Sequence, residues 1–229
     1  MVGVGVSHFP AGQGLSDLAG VEEEIDAIAS TYRDRGFATQ IVLEVTRQQW
    51  YALGDDGTLA RAACLHFSTH GAHVLADAPM ESAIFVADGQ LDGLEIAGLH
   101  LNCEVVALGS CDSGQRAIAG RGLAELPGDE LFGLPAAFLA AGARSVLAAA
   151  WPADNTTAAI LMAYWHRHLA AGEPADVALR HAQCDFLAQA DLKTKRAYFW
   201  APFFLVSIGA PAPIPSPVRE SSPTGGADG

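Results

Sequence analysis

The chain has 229 residues, with 13 Lys and Arg against 26 Asp and Glu for a formal net charge of −13; half of its residues are apolar and 17% are charged. So large an apolar share can bury enough surface to offset chain entropy, which excludes intrinsic disorder of the main body, and the length allows one large domain or two small ones. With no basic cluster, the acidity removes the attraction behind non-specific nucleic-acid binding and argues equally against an anionic membrane surface.

From the N-terminus, short β-like runs alternate with amphipathic segments, the mark of an α/β layered fold with a largely parallel sheet. Val2 to His8 reads as a first strand. Ser16 is placed to cap a helix running to Arg35, with Leu18, Val21, Ile25 and Ile28 as its apolar stripe and Gly36 as its stop. Thr39 to Val45 is a second strand, Thr46 opens a short helix, and Gly54-Asp55-Asp56-Gly57 is a turn before a helical piece ending near Ala63. Cys64 to Ser68 is a short strand running directly into Thr69-His70-Gly71.

Ser82 to Val86 and Leu91 to Ile96 read as a hairpin around Ala87-Asp88-Gly89-Gln90. Glu104 to Ser110 is a strongly apolar strand followed at once by Cys111-Asp112-Ser113-Gly114. Gln115 to Pro127 is a loop and Asp129 to Ala141 a helix. Leu131 to Trp151 carries only Arg144 as a charge and is about membrane-spanning in length, but Gly142 divides it into a helix and the strand Ser145 to Trp151. Helices follow over Asn155 to Ala170 and Ala175 to Ala190, then a last strand from Phe203 to Ile208. From Ala210 onward the chain holds five of its twelve prolines, so residues 1–209 are expected to form the domain and 210–229 a disordered tail.

The four cysteines, Cys64, Cys103, Cys111 and Cys184, form no Cys-x-x-Cys pair, and the N-terminus has no basic region leading into an apolar stretch. Free thiols in a reducing, cytoplasmic compartment are expected. Cys64 inside a strand and Cys184 on a helix face read as packing residues, and Cys103, after an Asn in a turn, as exposed or half-buried. Most of the acidity, Glu22-Glu23-Glu24 included, reads as solvated helix surface.

His70 and Cys111 each follow the carboxyl end of an apolar strand, the edge of an open α/β sheet where ligands gather. A cysteine attacks as thiolate and needs a base beside it, and a strand-end glycine such as Gly71 lets backbone N–H groups face a bound carbonyl. Cys111 could also merely pack, since free cysteine is among the most buried residue types. His66, His70 and His73 are dense enough to raise a metal site, but their spacing across a strand end gives no common face and no carboxylate or thiolate recurs at ligand spacing, so no metal is expected. His66 then reads as a core residue, and His166, His168 and His181 as surface residues of the C-terminal helices. Gly109 to Gly114 resembles a hydrolase nucleophile elbow, but Ser113 stands where that turn needs Gly and the best-placed histidine precedes the cysteine.

Seven segments in order resemble the CHAT domain, a caspase-like cysteine peptidase module related to separase. They are Phe67-Ser68-Thr69-His70-Gly71, Leu108 to Gly114, Gly128 to Leu134, Phe138 to Val146, Trp151-Pro152-Ala153-Asp154 with Thr157, Ala178-Leu179-Arg180 with Ala182-Gln183, and Phe199 to Phe203. The resemblance implies a caspase-like three-layer αβα sandwich around a mostly parallel sheet, a dyad of His70 and Cys111, and an oxyanion hole from the N–H groups of Gly71 and Cys111. It implies a protein substrate cut through an acyl-enzyme, no cofactor, and a bacterial regulatory, conflict or cell-death setting. Asp154 resembles a separase position near the primary specificity pocket, and Asp112 is the other acidic candidate; either would favour Arg or Lys before the cut. Asp154 could equally cap the helix at Asn155, and Asp112 orient the cysteine loop. The chain departs from the family pattern at Ser110 and Ser113, where Ala and Thr are usual, and in a longer loop at 115–127 containing Arg116 and Arg121. No tetratricopeptide repeats precede the domain, so a separate regulatory or sensor protein is a candidate partner. A catalytically silent binding module and a non-proteolytic cysteine hydrolase are the alternatives.

Overall fold

The computed structural model of the chain describes residues 1–72, 82–109, 133–151 and 153–217. In chain order its elements begin with β1 (Val2–Gly5), α1 (Val21–Arg33), β2 (Gln40–Leu43), α2 (Arg47–Asp55), α3 (Thr58–Arg61), β3 (Cys64–Ser68), β4 (Gly71–Ala72), β5 (Ala83–Val86) and β6 (Gly89–Asp92). They continue with α4 (Gly93–Ala97), β7 (Val105–Leu108), α5 (Leu134–Ala140), β8 (Ser145–Ala149), α6 (Asn155–Ala170), α7 (Ala175–Gln189), α8 (Ala197–Trp200) and β9 (Phe203–Ser207).

Among the described residues the central sheet has six strands in the order β2-β1-β3-β7-β8-β9. The first five are mutually parallel and β9 closes the edge antiparallel to β8. The chain order reverses direction across β1 and β3, which puts the carboxyl ends of β3 and β7 side by side at the centre of one sheet edge. A second, three-stranded sheet, β4-β5-β6, follows β3; its β5–β6 hairpin was expected, but the second strand is Gly89–Asp92, and most of the expected run Leu91 to Ile96 is helix α4, capped by Asp92.

β3 shows how the layers are assigned. Its side chains alternate, Leu65 and Phe67 toward one face, Cys64, His66 and Ser68 toward the other. Phe67 stacks on Trp50 of α2 and Phe138 of α5, with ring centroids at 5.5 and 5.3 Å. His66 and Ser68 instead meet Glu24 of α1, and His66 meets His166 of α6. Thus α1 and α6 cover one face and α2 and α5 the other, an α/β fold with a mostly parallel sheet between helices. On the α1 face, β1 must be nearly bare: a Cβ at Gly5 would lie 2.6 Å from Ile25 Cδ1 and Val21 Cγ1, and one at Gly3 2.7 Å from Ile25 Cγ2. The two glycines let α1 pack at backbone distance from the sheet.

Local signals explain most boundaries. Thr46 and Gln49 form a reciprocal capping box at α2, as expected of Thr46, and Asp92 with Glu95 forms another at α4. Gly142, at φ +110°, separates α5 from β8 as expected. The first helix is shorter than expected: Gly20, at φ +83°, begins α1, and Ser16 lies in the preceding loop with no capping role. The four expected stripe residues, Leu18, Val21, Ile25 and Ile28, are nonetheless all buried. Ile214 is 4% exposed and packs into the hydrophobic core. Among the described residues no helix is long and apolar enough to cross a membrane.

Candidate active site

Two strand ends frame the site. Gly109 N–H continues the β3–β7 ladder by donating to Phe67 O at 2.9 Å, and Val6 N–H donates to Ser68 O at 3.0 Å. His70 stands two residues past β3 and Gly109 one past β7. The cysteine motif, with Cys111 and Asp112, and the loop at 115–127 lie outside the described residues, as does His73.

His70 is 3% exposed and held on every side. Its carbonyl accepts from Phe85 N–H at 2.9 Å, and Thr69 Oγ1 donates to Phe85 O at 2.8 Å, so β5 fixes the turn that presents the ring. The Phe9 ring packs against the imidazole with centroids 4.8 Å apart. His70 Nε2 lies 2.8 Å from Ser16 O. A carbonyl can only accept, so Nε2 carries a proton, and in the neutral ring Nδ1 carries the lone pair. That Nδ1 is buried and has no hydrogen-bond partner among the described residues. Ser16 is brought into place by the folded 7–18 loop, in which Leu18 N–H donates to Ser7 O at 2.9 Å and Phe9 N–H to Asp17 Oδ1 at 3.1 Å. A serine read as a cap thus acts through its main chain, a role no side-chain pattern reveals.

Gly71 sits opposite Ile84 in the β4–β5 ladder. The bond on that side runs from Phe85 N–H to His70 O, so the Gly71–Ile84 pair is of the non-bonded kind and the ladder does not consume the Gly71 N–H. A Cβ at Gly71 would meet only ordinary contacts at 3.8 Å, so packing alone does not demand glycine there. Asp154 is the N-cap of α6, its Oδ1 accepting from Thr157 N–H at 3.0 Å.

A cleft of about 310 Å³ opens between the starts of α1 and α6, and Ser68 and Gly109 are among the residues that line it. Glu24 is the charged residue among the described residues lining it. It was expected to be solvated with its neighbours; Glu22 and Glu23 are exposed, but the Glu24 side chain is only 11% exposed, because position 24 falls between Val21 and Ile28 on the buried stripe. Ser68 Oγ donates to Glu24 Oε2 at 2.7 Å, and His66 Nε2 faces Oε1 at 3.5 Å, ion-pair range rather than a formed hydrogen bond. Burial disfavours its charge, but His66 and Ser68 together outweigh that, and the carboxyl stays below its ordinary range.

Behind Glu24 a string of polar groups enters the core. His66 Nδ1 meets His166 Nε2 at 3.0 Å, His166 Nδ1 meets Tyr32 Oη at 3.0 Å, and Tyr32 Oη lies 3.7 Å from Cys64 Sγ. Tyr32 O–H donates to Cys64 Sγ, and the string ends outward at Glu24, which lies in ion-pair range of His66 Nε2. Burial, with His66 adjacent, pushes His166 well below its ordinary value and so keeps it neutral.

His66 is a core residue as expected, but His166 is fully buried rather than on the surface, since α6 is covered by both α1 and α7. Cys103 is fully buried, not half-exposed, and Cys184, expected to pack, is exposed. Burial lifts the Cys64 thiol to about 11 and the Cys103 thiol to about 12, so neither supplies a thiolate near neutral pH. Far from the cleft, His168, Glu173 and His181 place ligand-type atoms within 4.8 Å of one another. Glu173 already accepts from both rings, at 3.1 and 2.7 Å, and Asp185 holds the other His168 nitrogen at 2.9 Å.

The family model described as the CHAT domain matches residues 2–210. Among solved structures, the Drosophila initiator caspase Dronc is similar with a TM-score of 0.53 at 10% identity, over 92% of this chain and 80% of that one. Caspase-1 from Spodoptera frugiperda is similar over 90% of this chain and 85% of its own, with a TM-score of 0.49 at 11% identity. At such identity the likeness to Dronc concerns the fold alone. No curated protein matches the chain.

Proposed function

The chain belongs to the CHAT domain family, and from that premise we propose that it is a cysteine endopeptidase acting on protein substrates through Cys111 and His70. The observation that carries this reading is the fixed imidazole of His70, with Nε2–H spent on Ser16 O and a buried Nδ1 lone pair left to accept a proton. Cys111 follows the neighbouring strand end by the same two-residue offset from Gly109 as His70 has from Ser68.

In this mechanism the Cys111 thiol gives its proton to His70 Nδ1 and its sulfur bonds to the scissile carbonyl carbon. The N–H groups of Gly71 and Cys111 would receive the oxyanion. As the C–N bond breaks, His70 returns the proton to the leaving amine and a thioester remains. Water then attacks the thioester with His70 as base, releasing the carboxylic acid and restoring the thiol. No step calls for a metal or organic cofactor.

Of the two acidic candidates for the primary pocket, Asp154, to which the resemblance points, has one oxygen engaged in capping α6, while Asp112 lies beside the nucleophile in sequence. A bacterial enzyme controlled by a separate sensor or regulatory protein belongs to this reading on the strength of the family's usual setting. The test is hydrolysis of a diverse peptide mixture followed by mass spectrometry. Cleavage that disappears in both Cys111→Ala and His70→Ala is expected; no cleavage by the native chain, or cleavage surviving either change, would contradict the reading and favour a silent binding module.

A further inference from the structure

His168, in the last turn of α6, has a carboxylate at each ring nitrogen. Its Nδ1 lies 3.1 Å from Glu173 Oε1 and its Nε2 lies 2.9 Å from Asp185 Oδ2. A neutral imidazole has one N–H and one lone pair, so it can donate to only one of these acids, and the other contact sets a lone pair against a carboxylate oxygen. Such a contact is favourable only with a positive charge between the two atoms. His181 of α7 brings a third donor to the same place, its Nδ1 lying 2.7 Å from the second oxygen of Glu173.

We propose that His168, Glu173 and His181 bind one divalent metal ion of the zinc class, and that Asp185 orients His168 for it. Two imidazoles and a carboxylate are a donor set that suits zinc. Their ligating atoms lie within 4.8 Å of one another. Tetrahedral zinc, with bonds of about 2.0–2.2 Å, holds its ligands about 3.5 Å apart, so a small closure of the two rings completes the set. With the ion on His168 Nδ1, the single N–H of that ring sits on Nε2 and donates to Asp185, which fixes both tautomer and ring orientation. No lone pair of His168 then faces an oxygen.

The backbone holds the three ligands in register. Glu173 N–H donates to His168 O at 3.2 Å across the α6–α7 turn, where Gly172 adopts φ +91°. His181 and Asp185 stand one helical turn apart on α7. Arg167 Nη2 donates to Asp185 Oδ2 at 2.6 Å and so steadies the orienting carboxylate without entering the donor set. The His181 side chain is 46% exposed, which leaves the ion a path from solvent and a water the fourth position. Bound there, the ion clamps α6 to α7 across their turn. The site is separate from the peptidase reading and does not rest on it.

A second proton on His168 is the competing way to satisfy both carboxylates, and a zinc titration of the full chain against a chromophoric chelator decides between them. The native chain is expected to bind one zinc, with X-ray absorption at the zinc edge showing imidazole nitrogen and oxygen neighbours and no sulfur. Asp185→Ala, which keeps all three ligands, should weaken binding about 10–100-fold, and Glu173→Gln and His181→Gln should weaken it further. Zinc should raise the Tm of the native chain and leave that of His181→Gln unchanged; this half-exposed position tolerates the substitution, so the variant reports on the metal rather than on folding. The absence of saturable binding would overturn the site in favour of the second proton. Sulfur in the zinc shell, or an affinity unchanged in both Glu173→Gln and His181→Gln, would place the ion elsewhere and overturn it equally.

Discussion

His66 Nδ1 and His166 Nε2 lie 3.0 Å apart in the core, joining β3 to α6 across a hundred residues of sequence. Both imidazoles are fully buried, and the pair connects the cleft carboxylate Glu24 to Tyr32 in the interior. The polar face of β3 is thus a built network rather than a packing accident.

A buried neutral histidine makes stability depend on pH with a definite sign. The folded-state value of His166 is lowered, so the unfolded chain binds a proton first as pH falls. Stability is complete above the ordinary value of 6.5 and declines below it, by up to about 1.4 kcal/mol per pH unit for one proton. Glu24, also lowered, adds a loss confined to pH below its ordinary 4.5. Urea titrations between pH 7.5 and 5 should show a slope over the upper window that flattens in His166→Gln. Equal slopes in the two proteins would contradict the buried neutral assignment.

Gly109 is tied to the same network. A Cβ there would stand 2.8 Å from His66 Cε1 and 3.2 Å from Phe67 O, so the fully buried His66 ring and the β3 backbone would both have to shift. Gly109→Ala should therefore destabilise the protein by about 1–3 kcal/mol, the usual cost of overpacking. Chemical denaturation measures it; a change below about 0.5 kcal/mol would mean the ring yields freely.

Phe9 holds the His70 imidazole by ring contact at 4.8 Å and is itself 8% exposed. Phe9→Ala should cost about 3 kcal/mol of stability. Because the ring would lose its side support but keep the Ser16 bond, kcat for peptide hydrolysis should fall on the order of tenfold with KM little changed. An unchanged kcat would show that Ser16 alone orients His70.

The thiols divide by burial. Native-state alkylation with iodoacetamide should modify Cys184 readily and leave Cys64 and Cys103 untouched until the chain is denatured. Rapid modification of either buried thiol in the native state would contradict their placement.

Much of this architecture was legible in the residues. The bounds of β3 and α6 coincide with the expected ones, because a five-residue apolar run ending in Thr-His-Gly and a capped helix ending before Ala-Gly are strong local signals. The family resemblance indicated the fold for the same reason, since its histidine motif follows the end of β3. What was missed depends on neighbours distant in sequence. His166 looked exposed because α6 carries Arg167 and His168 beside it, yet α1 and α7 cover both of its flanks. Glu24 was hidden by its two exposed neighbours, although its helical phase with Val21 and Ile28 placed it on the inner stripe. Alternation of Cys64, His66 and Ser68 against Leu65 and Phe67 was the available sign that one face of β3 is polar inside the protein. No such sign exists for Ser16, whose contribution is a carbonyl oxygen.

The central claim, that Cys111 and His70 act as a pair, is tested most directly by site-resolved labelling with an acyloxymethyl ketone in the native chain and in His70→Ala, with Cys184 as the exposed reference thiol. The account predicts that Cys111 is modified far faster than Cys184 and that this advantage is lost in His70→Ala while the Cys184 rate is unchanged. Labelling of Cys111 no faster than Cys184, or equally fast without His70, would contradict it.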